Sequence, residues 1–218
     1  MRGSAGGAFE WNRSFRSGIL VLMNEITVSG WTVLDTAHEA LRSTVRGITA
    51  ADLDRPTPCS EWTVAQVLQH AAGDQLAYAA SITGGPGPDF NPFAPSGSLD
   101  AEPLALLEPA LTAGAAAWAT VDRDAAEAPV PVPPGSLAPW LGAGAAALDA
   151  AVHAWDIALA TGQESPLTAG LARDLHKVAV EIVEPLRRFG AYAAPIDAPG
   201  DEIADLLHYL GRDPAWTA

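Results

Sequence analysis

Asp149 and His153 stand four residues apart in the run Asp149-Ala-Ala-Val-His153-Ala-Trp155-Asp156. On a helix this spacing puts both side chains on one face, one turn apart. There they can give two ligands to one divalent ion. A catalytic metal site typically takes three protein donors from His, Asp and Glu and leaves positions open for water and substrate. His70 is the third candidate. It lies in the middle of a separate helical pattern, and neighbouring antiparallel helices of a bundle can bring it opposite. Asp156, one turn beyond His153, either replaces Asp149 as ligand or holds an imidazole N–H from behind. The donor set suits zinc, nickel, iron or manganese; zinc is the first choice, with nickel and iron as alternatives. Asp74 and Tyr78, one and two turns after His70, are candidates for acid–base and pocket-lining roles. The competing reading is two solvated carboxylates and one core histidine, because Asp-x3-His recurs by chance on helices.

The elements that must position these residues are helices. Val33, Leu34, Ala37, Leu41, Val45 and Ile48 recur at three- and four-residue steps from Trp31, so a first helix faces a core, with Gly47 at its end. His38 lies beside that stripe. Thr63-Val-Ala-Gln66 forms a capping box for a second helix over about 64–82, closed by Gly84-Gly-Pro-Gly-Pro88. Residues 84–101 make a long loop in which Phe90 and Phe93 predict a partial lid. A third helix is expected over 103–121. A Pro-rich stretch follows over 128–139, and its prolines restrict any strand to a short edge piece. The fourth helix, over 140–161, is built almost wholly of Ala, Gly and Leu before Asp149. Neighbouring helices can therefore approach it closely, and Gly162 caps it. A fifth pattern spans 168–189, with Pro185 expected to kink or end it, and a short last helix spans 201–210. The Arg187-Arg188 pair reads as a solvated face. Residues 1–30 lack clear periodicity and read as a flexible extension, leaving 31–218 as one helical domain.

Three stretches carry a family resemblance. Arg55-Pro56-Thr57-Pro58-Cys59-Ser60-Glu61-Trp62-Thr63-Val64, continuing to Val67-Leu68-Gln69-His70, resembles the first signature of actinobacterial DinB-like proteins. His153-Ala-Trp155-Asp156-Ile-Ala-Leu-Ala-Thr161-Gly162 resembles their second. Leu210-Gly-Arg212-Asp213-Pro214-Ala-Trp216 resembles their close. Such proteins are similar to the N-terminal domain of mycothiol-dependent maleylpyruvate isomerase. The resemblance covers about residues 31–218. It implies an all-α, DinB-like four-helix bundle with extra C-terminal helices, long Pro/Gly-rich loops and a metal at the open end. It also implies His70, Asp149 and His153 as ligands. In family enzymes the metal often activates a small thiol, mycothiol. Asp149 departs from the pattern, because the family's carboxylate is usually Glu, one methylene longer. The separate C-terminal domain of the isomerase has no counterpart here. Cys59 lies in the first motif, where packing is the expected role.

Charge and composition exclude other classes. The net charge of −14 repels phosphate backbones and anionic headgroups, so no nucleic-acid or membrane partner is expected. The longest plain apolar run, Ile19–Met23, is too short to span a bilayer. Arg2, Arg13 and Arg16 precede it, but Asn24-Glu25 follows where a signal peptide needs small residues. One cysteine, Cys59, cannot form an internal disulfide, and a cytoplasmic location is expected. The partner is a small-molecule substrate, and a homodimer is compatible with the sequence. The expected function is a metal-dependent thiol transferase or isomerase, with mycothiol as candidate cosubstrate. The alternatives are a metal-independent enzyme of natural-product biosynthesis working in an apolar cleft and a non-catalytic ligand-binding protein.

Overall fold

The structure is a computed structural model that describes residues 26–59 and 62–217. The N-terminal extension expected over 1–30 lies largely outside the described residues. Its last part, Ser29, is buried and receives neighbours at the head of the first helix: the Ser29 amide and hydroxyl both donate to Asp35 Oδ1.

The described residues form six α-helices: α1 Thr32–Arg46, α2 Val64–Thr83, α3 Pro103–Trp118, α4 Pro139–Thr161, α5 Ala169–Arg187 and α6 Glu202–Tyr209. The first four form a bundle in which α1 packs on α4 and α2 on α3, with α2 also against α4. Helix α5 lies on α4 and α6 on α5. The expected all-α, four-helix architecture with extra C-terminal helices is present. Among the described residues the one sheet is a two-stranded hairpin, β1 Ala128–Pro129 with β2 Ser136–Leu137, antiparallel.

Helix α4 is the axis. Eighteen of its 23 residues are buried, and its small side chains are what permit this. A Cβ on Gly144 would lie 2.4 Å from Val178 of α5, and one on Gly142 would lie 2.7 Å from the Trp118 ring of α3. Leu148, Ile157 and Trp118 fill the space around it. Each such fully buried side chain contributes about 1.5–3 kcal/mol by leaving water.

The capping box of α2 forms as its sequence predicts. Thr63 Oγ1 accepts from the Gln66 amide, and Gln66 Oε1 accepts from the Thr63 amide. Gly84 and Gly162 end α2 and α4 in the left-handed region, at φ 70° and 72°. Gly47 behaves differently. It keeps φ −87°, so left-handed freedom is not its use. Instead a Cβ there would meet Gln163 Oε1 at 2.4 Å. The gap lets Gln163, just past α4, donate to the Thr44 carbonyl of α1. Arg187 also departs from its expectation as a solvated group. It donates to the Tyr209 carbonyl and fastens α6 to the end of α5.

Candidate metal centre

Helix α2 presents His70, and α4 presents Asp149 and His153 one turn apart. Packing of α2 on α4 brings all three together, with one donor atom of each within 4.8 Å of the others. Asp149 Oδ1 lies 3.1 Å from His70 Nε2 and 3.3 Å from His153 Nε2. The short carboxylate therefore reaches both imidazoles. Neighbouring ligands on an ion with bonds of about 2.1 Å are themselves about 3.0–3.4 Å apart. The three side chains keep 8–13 % exposure, so the cluster touches solvent at its mouth.

The outer nitrogens decide the tautomers. His70 Nδ1 lies 2.9 Å from the Pro92 carbonyl oxygen, which can only accept, so Nδ1 carries the proton. His153 Nδ1 lies 2.9 Å from Asp156 Oδ2 and donates in the same way. Neutral, each ring then points a bare Nε2 lone pair at the same carboxylate oxygen. Three lone-pair donors face one another, an arrangement that repels itself unless a cation or a proton lies between them. Asp149 Oδ2 is also buried with no hydrogen-bond partner. These residues fit a divalent metal, with Pro92 and Asp156 supplying the outer hydrogen bonds that orient ligand histidines.

Electrostatics agree with a site that wants positive charge. Burial pushes the Asp149 carboxyl up, but the adjacent His153 and His70 outweigh it and hold it well below the usual carboxylate range. Burial pushes His153 down, yet the Asp149 carboxylate overrides this and raises it well above 6.5. The same field that would favour a cation favours a proton on His153.

Asp156 is fully buried and is gripped from behind. Arg212 donates from Nε to Oδ1 at 2.9 Å and from a terminal nitrogen to Oδ2 at 2.9 Å. Burial raises Asp156, but Arg212 wins and keeps it ionised. Arg212 was absent from the candidates read from sequence. The signal lay in the closing motif around Gly211-Arg212-Asp213-Pro214, where a lone arginine has no visible partner 56 residues away. Cys59 does more than pack: its sulfur lies within 4.8 Å of donor atoms of His153 and Asp156. That trio does not make a second metal site, since Arg212 occupies both Asp156 oxygens and His153 Nδ1 carries a proton. Burial raises the Cys59 thiol.

Asp74 and Tyr78 of α2 are buried beside the cluster. Burial and the Asp149 charge raise Asp74 well above the carboxylate range, and burial with the Asp74 charge raises Tyr78. Tyr192, also missed from sequence because it sits in an irregular segment between α5 and α6, feels Asp149, Arg212 and Asp74. The loop after α2 covers His70. Trp62 lies 4.8 Å from the His70 ring on one side, and Phe93 meets it edge-on at 5.6 Å. Gln66 and Gln69 pin the loop through Pro95, Ser96, Gly97 and Ser98. Phe90 and Pro92 pack where a Cβ on Gly73 would stand, at 2.9 Å. His38 lies outside the cluster; it is buried and donates to Gln75. His176 and His208 also lie outside the cluster. A surface depression of about 400 Å³ between α5 and α6 is lined by His176 and Val180 and not by His70, Asp149 or His153.

Residues 34–158 match the mycothiol maleylpyruvate isomerase N-terminal domain family. The chain belongs to this family. Among curated relatives, uncharacterized proteins of Mycobacterium tuberculosis strains CDC 1551 / Oshkosh and H37Rv are each 30% identical over 178 residues. The match covers 78% of this chain and 82% of theirs. No solved structure matches. The family match spans His70, Asp149, His153 and Asp156 and ends before Arg212. No helix among the described residues is long and apolar enough to cross a membrane.

Proposed function

We propose that this member of the mycothiol maleylpyruvate isomerase N-terminal domain family is a metal-dependent enzyme acting on a small molecule. A low-molecular-weight thiol, with mycothiol the first candidate, is its nucleophile, in a transfer or an isomerisation. One observation carries the reading. Two imidazoles with their outer nitrogens committed as donors turn bare Nε2 atoms onto one carboxylate oxygen. His70, Asp149 and His153 hold the ion, zinc before nickel or iron. A bound divalent ion supplies the charge that keeps a thiol deprotonated near neutral pH.

The chain's own residues do the rest. The Pro92 carbonyl and Asp156 fix the two imidazole planes, and Arg212 keeps Asp156 ionised for that task. Trp62 and Phe93 pack against the His70 ring and limit its movement. Burial and the Asp149 charge raise the Asp74 carboxyl well above the carboxylate range, which favours its protonated form and suits it to donate to a substrate oxygen, with Tyr78 beside it. A soluble, cytoplasmic setting accords with the single cysteine and the acidic surface.

Metal analysis and zinc titration of untagged protein test this reading, with His70→Ala and Asp149→Asn as controls. Roughly one zinc per chain, lost in both variants, is expected. Absence of binding in the wild type at micromolar zinc would sink it. A second reading has its own support: Asp149 and Asp74 are two carboxyls pushed in opposite directions, the pattern of an acid–base pair. It predicts turnover that survives chelation.

A further inference from the structure

The centre of the bundle holds a polar layer. Helices α1 and α2 each pack on α3 and on α4, so they sit on a diagonal. Gln75 of α2, at 0 % exposure, spans that diagonal. Its Nε2 donates to the Ala146 carbonyl of α4 at 3.0 Å. A carbonyl only accepts, so the other end of the amide, Oε1, is the acceptor, and His38 Nε2 of α1 donates to it at 2.9 Å. Helix α3 makes room for the amide: a Cβ on Gly114 would stand 3.3 Å from Gln75 Oε1. One residue from each of the four bundle helices thus forms the layer, and both ends of the Gln75 amide are used.

Stability is not what such a layer supplies. Two buried polar partners replaced together by apolar groups of the same shape leave stability nearly unchanged. The layer supplies register, because other alignments leave its polar groups unpaired. The contact between α2 and α4 needs this. The buried stretches Ala71–Gly73 of α2 and Ala143–Ala147 of α4 hold only alanine and glycine, and uniform surfaces specify one alignment weakly. His70 meets Asp149 at 3.1 Å, while Gln75, further along α2, meets Ala146, further back on α4, so one antiparallel alignment serves both contacts. A slip of one turn, about 5.4 Å, would set His70 against Ala145 or His153 in place of Asp149.

We infer that Gln75, with His38, is a positioning residue: the diagonal amide layer fixes the register of α2 on α4 and so brings His70 to Asp149. The inference concerns the placing of side chains and stands apart from the metal-dependent reading above.

The test compares two variants of the full chain, both treated with chelator. The double variant His38→Leu with Gln75→Met makes the layer apolar at similar volume. His38→Gln keeps an amide donor for Gln75 Oε1. The readouts are urea unfolding and imidazole 15N NMR. The double variant should unfold at a urea midpoint no lower than that of the wild type. Its His70 and His153 resonances should nevertheless shift or split into more than one set, as His70 no longer meets Asp149 in a single register. His38→Gln should keep the wild-type resonances. A double variant with wild-type His70 and His153 signals overturns the inference. So does one that fails to fold or unfolds at clearly lower urea, since the layer would then act through stability. Zinc titration gives a separate reading, with affinity at least about ten-fold weaker expected in the double variant. A wild type that binds no zinc sinks the metal-dependent reading, and the NMR comparison still decides the register.

Discussion

Arg212 and Asp156 form a bidentate ion pair across 56 residues of sequence, with Asp156 at 0 % exposure. Its value lies in what it prevents. A carboxylate this deep is costly unless paired, and removing one partner of a buried pair typically costs about 3–5 kcal/mol. Arg212→Ala should lower stability by about that amount in urea unfolding. It should also weaken zinc binding about 10–100-fold, because His153 loses its fixed acceptor. Arg212→Lys should fall between, keeping the charge and losing the fork. The double variant Arg212→Met with Asp156→Asn should be more stable than Arg212→Ala alone. A fully stable Arg212→Ala protein would contradict the arrangement.

The pH response of stability should carry a signature of His38. Burial lowers this imidazole below 6.5, although its bond to Gln75 opposes the shift. An unfolded histidine binds its proton near 6.5 while folded His38 resists it. The stabilising contribution is therefore complete above 6.5 and is lost as the pH falls below 6.5 through the folded value. The loss is at most about 1.4 kcal/mol per pH unit. His153 titrates in the opposite sense, so the measurement is the difference between wild type and His38→Gln. Unfolding midpoints at about pH 7.5 and 5.5 should drop more steeply in the wild type.

Gly73→Ala sets two magnitudes against each other. Alanine favours the helix by about 1 kcal/mol. Its Cβ would however stand 2.9 Å from both Phe90 and Pro92, and overpacking typically costs about 1–3 kcal/mol. The net expectation is a loss of about 1 kcal/mol. The more telling readout is zinc affinity, which should fall as Pro92 moves off His70 Nδ1. An unchanged affinity would show that the loop does not orient the ligand.

Zinc should stabilise the fold by about 4 kcal/mol when free metal exceeds its dissociation constant a thousandfold, and Asp149→Asn should abolish the effect. Asp149 raises His153 well above 6.5 despite burial, so an ion at this cluster competes with a proton. Binding should therefore release protons and weaken as the pH falls. Calorimetry in buffers of different ionisation enthalpy reads this directly.

Much of this was legible in sequence because helices declare themselves locally. The α2 start followed from Thr63 and Gln66, the α4 end from Gly162, and the closeness of α4 to its neighbours from its Ala and Gly. The three-donor cluster was legible because Asp149 and His153 share a helical face and a family motif points to His70. Long-range partners were hidden. Nothing local distinguishes Arg212 from a surface arginine, and its role exists only once α5 and α6 fold back on α4. Tyr192 sits in irregular chain with no period to place it. Gly47 does end α1, as its place in the pattern predicts, but what requires a glycine there is the close passage of Gln163, which only tertiary contact reveals.

The origin of Arg212 beyond residues 34–158 has a consequence for biogenesis. The ribosome delivers chain at about 5–20 residues per second, so α1 to α4 emerge seconds before the arginine that neutralises Asp156. In that interval the base of α4 faces a choice between staying hydrated and burying a lone charge, and the first is far cheaper. The bundle can assemble early, yet its inner end stays wet until the segment carrying Arg212 arrives. Synthesis of that segment thus acts as a checkpoint for a rigid His153, and a chain cut before Arg212 carries His70, Asp149 and His153 without the means to hold His153 still.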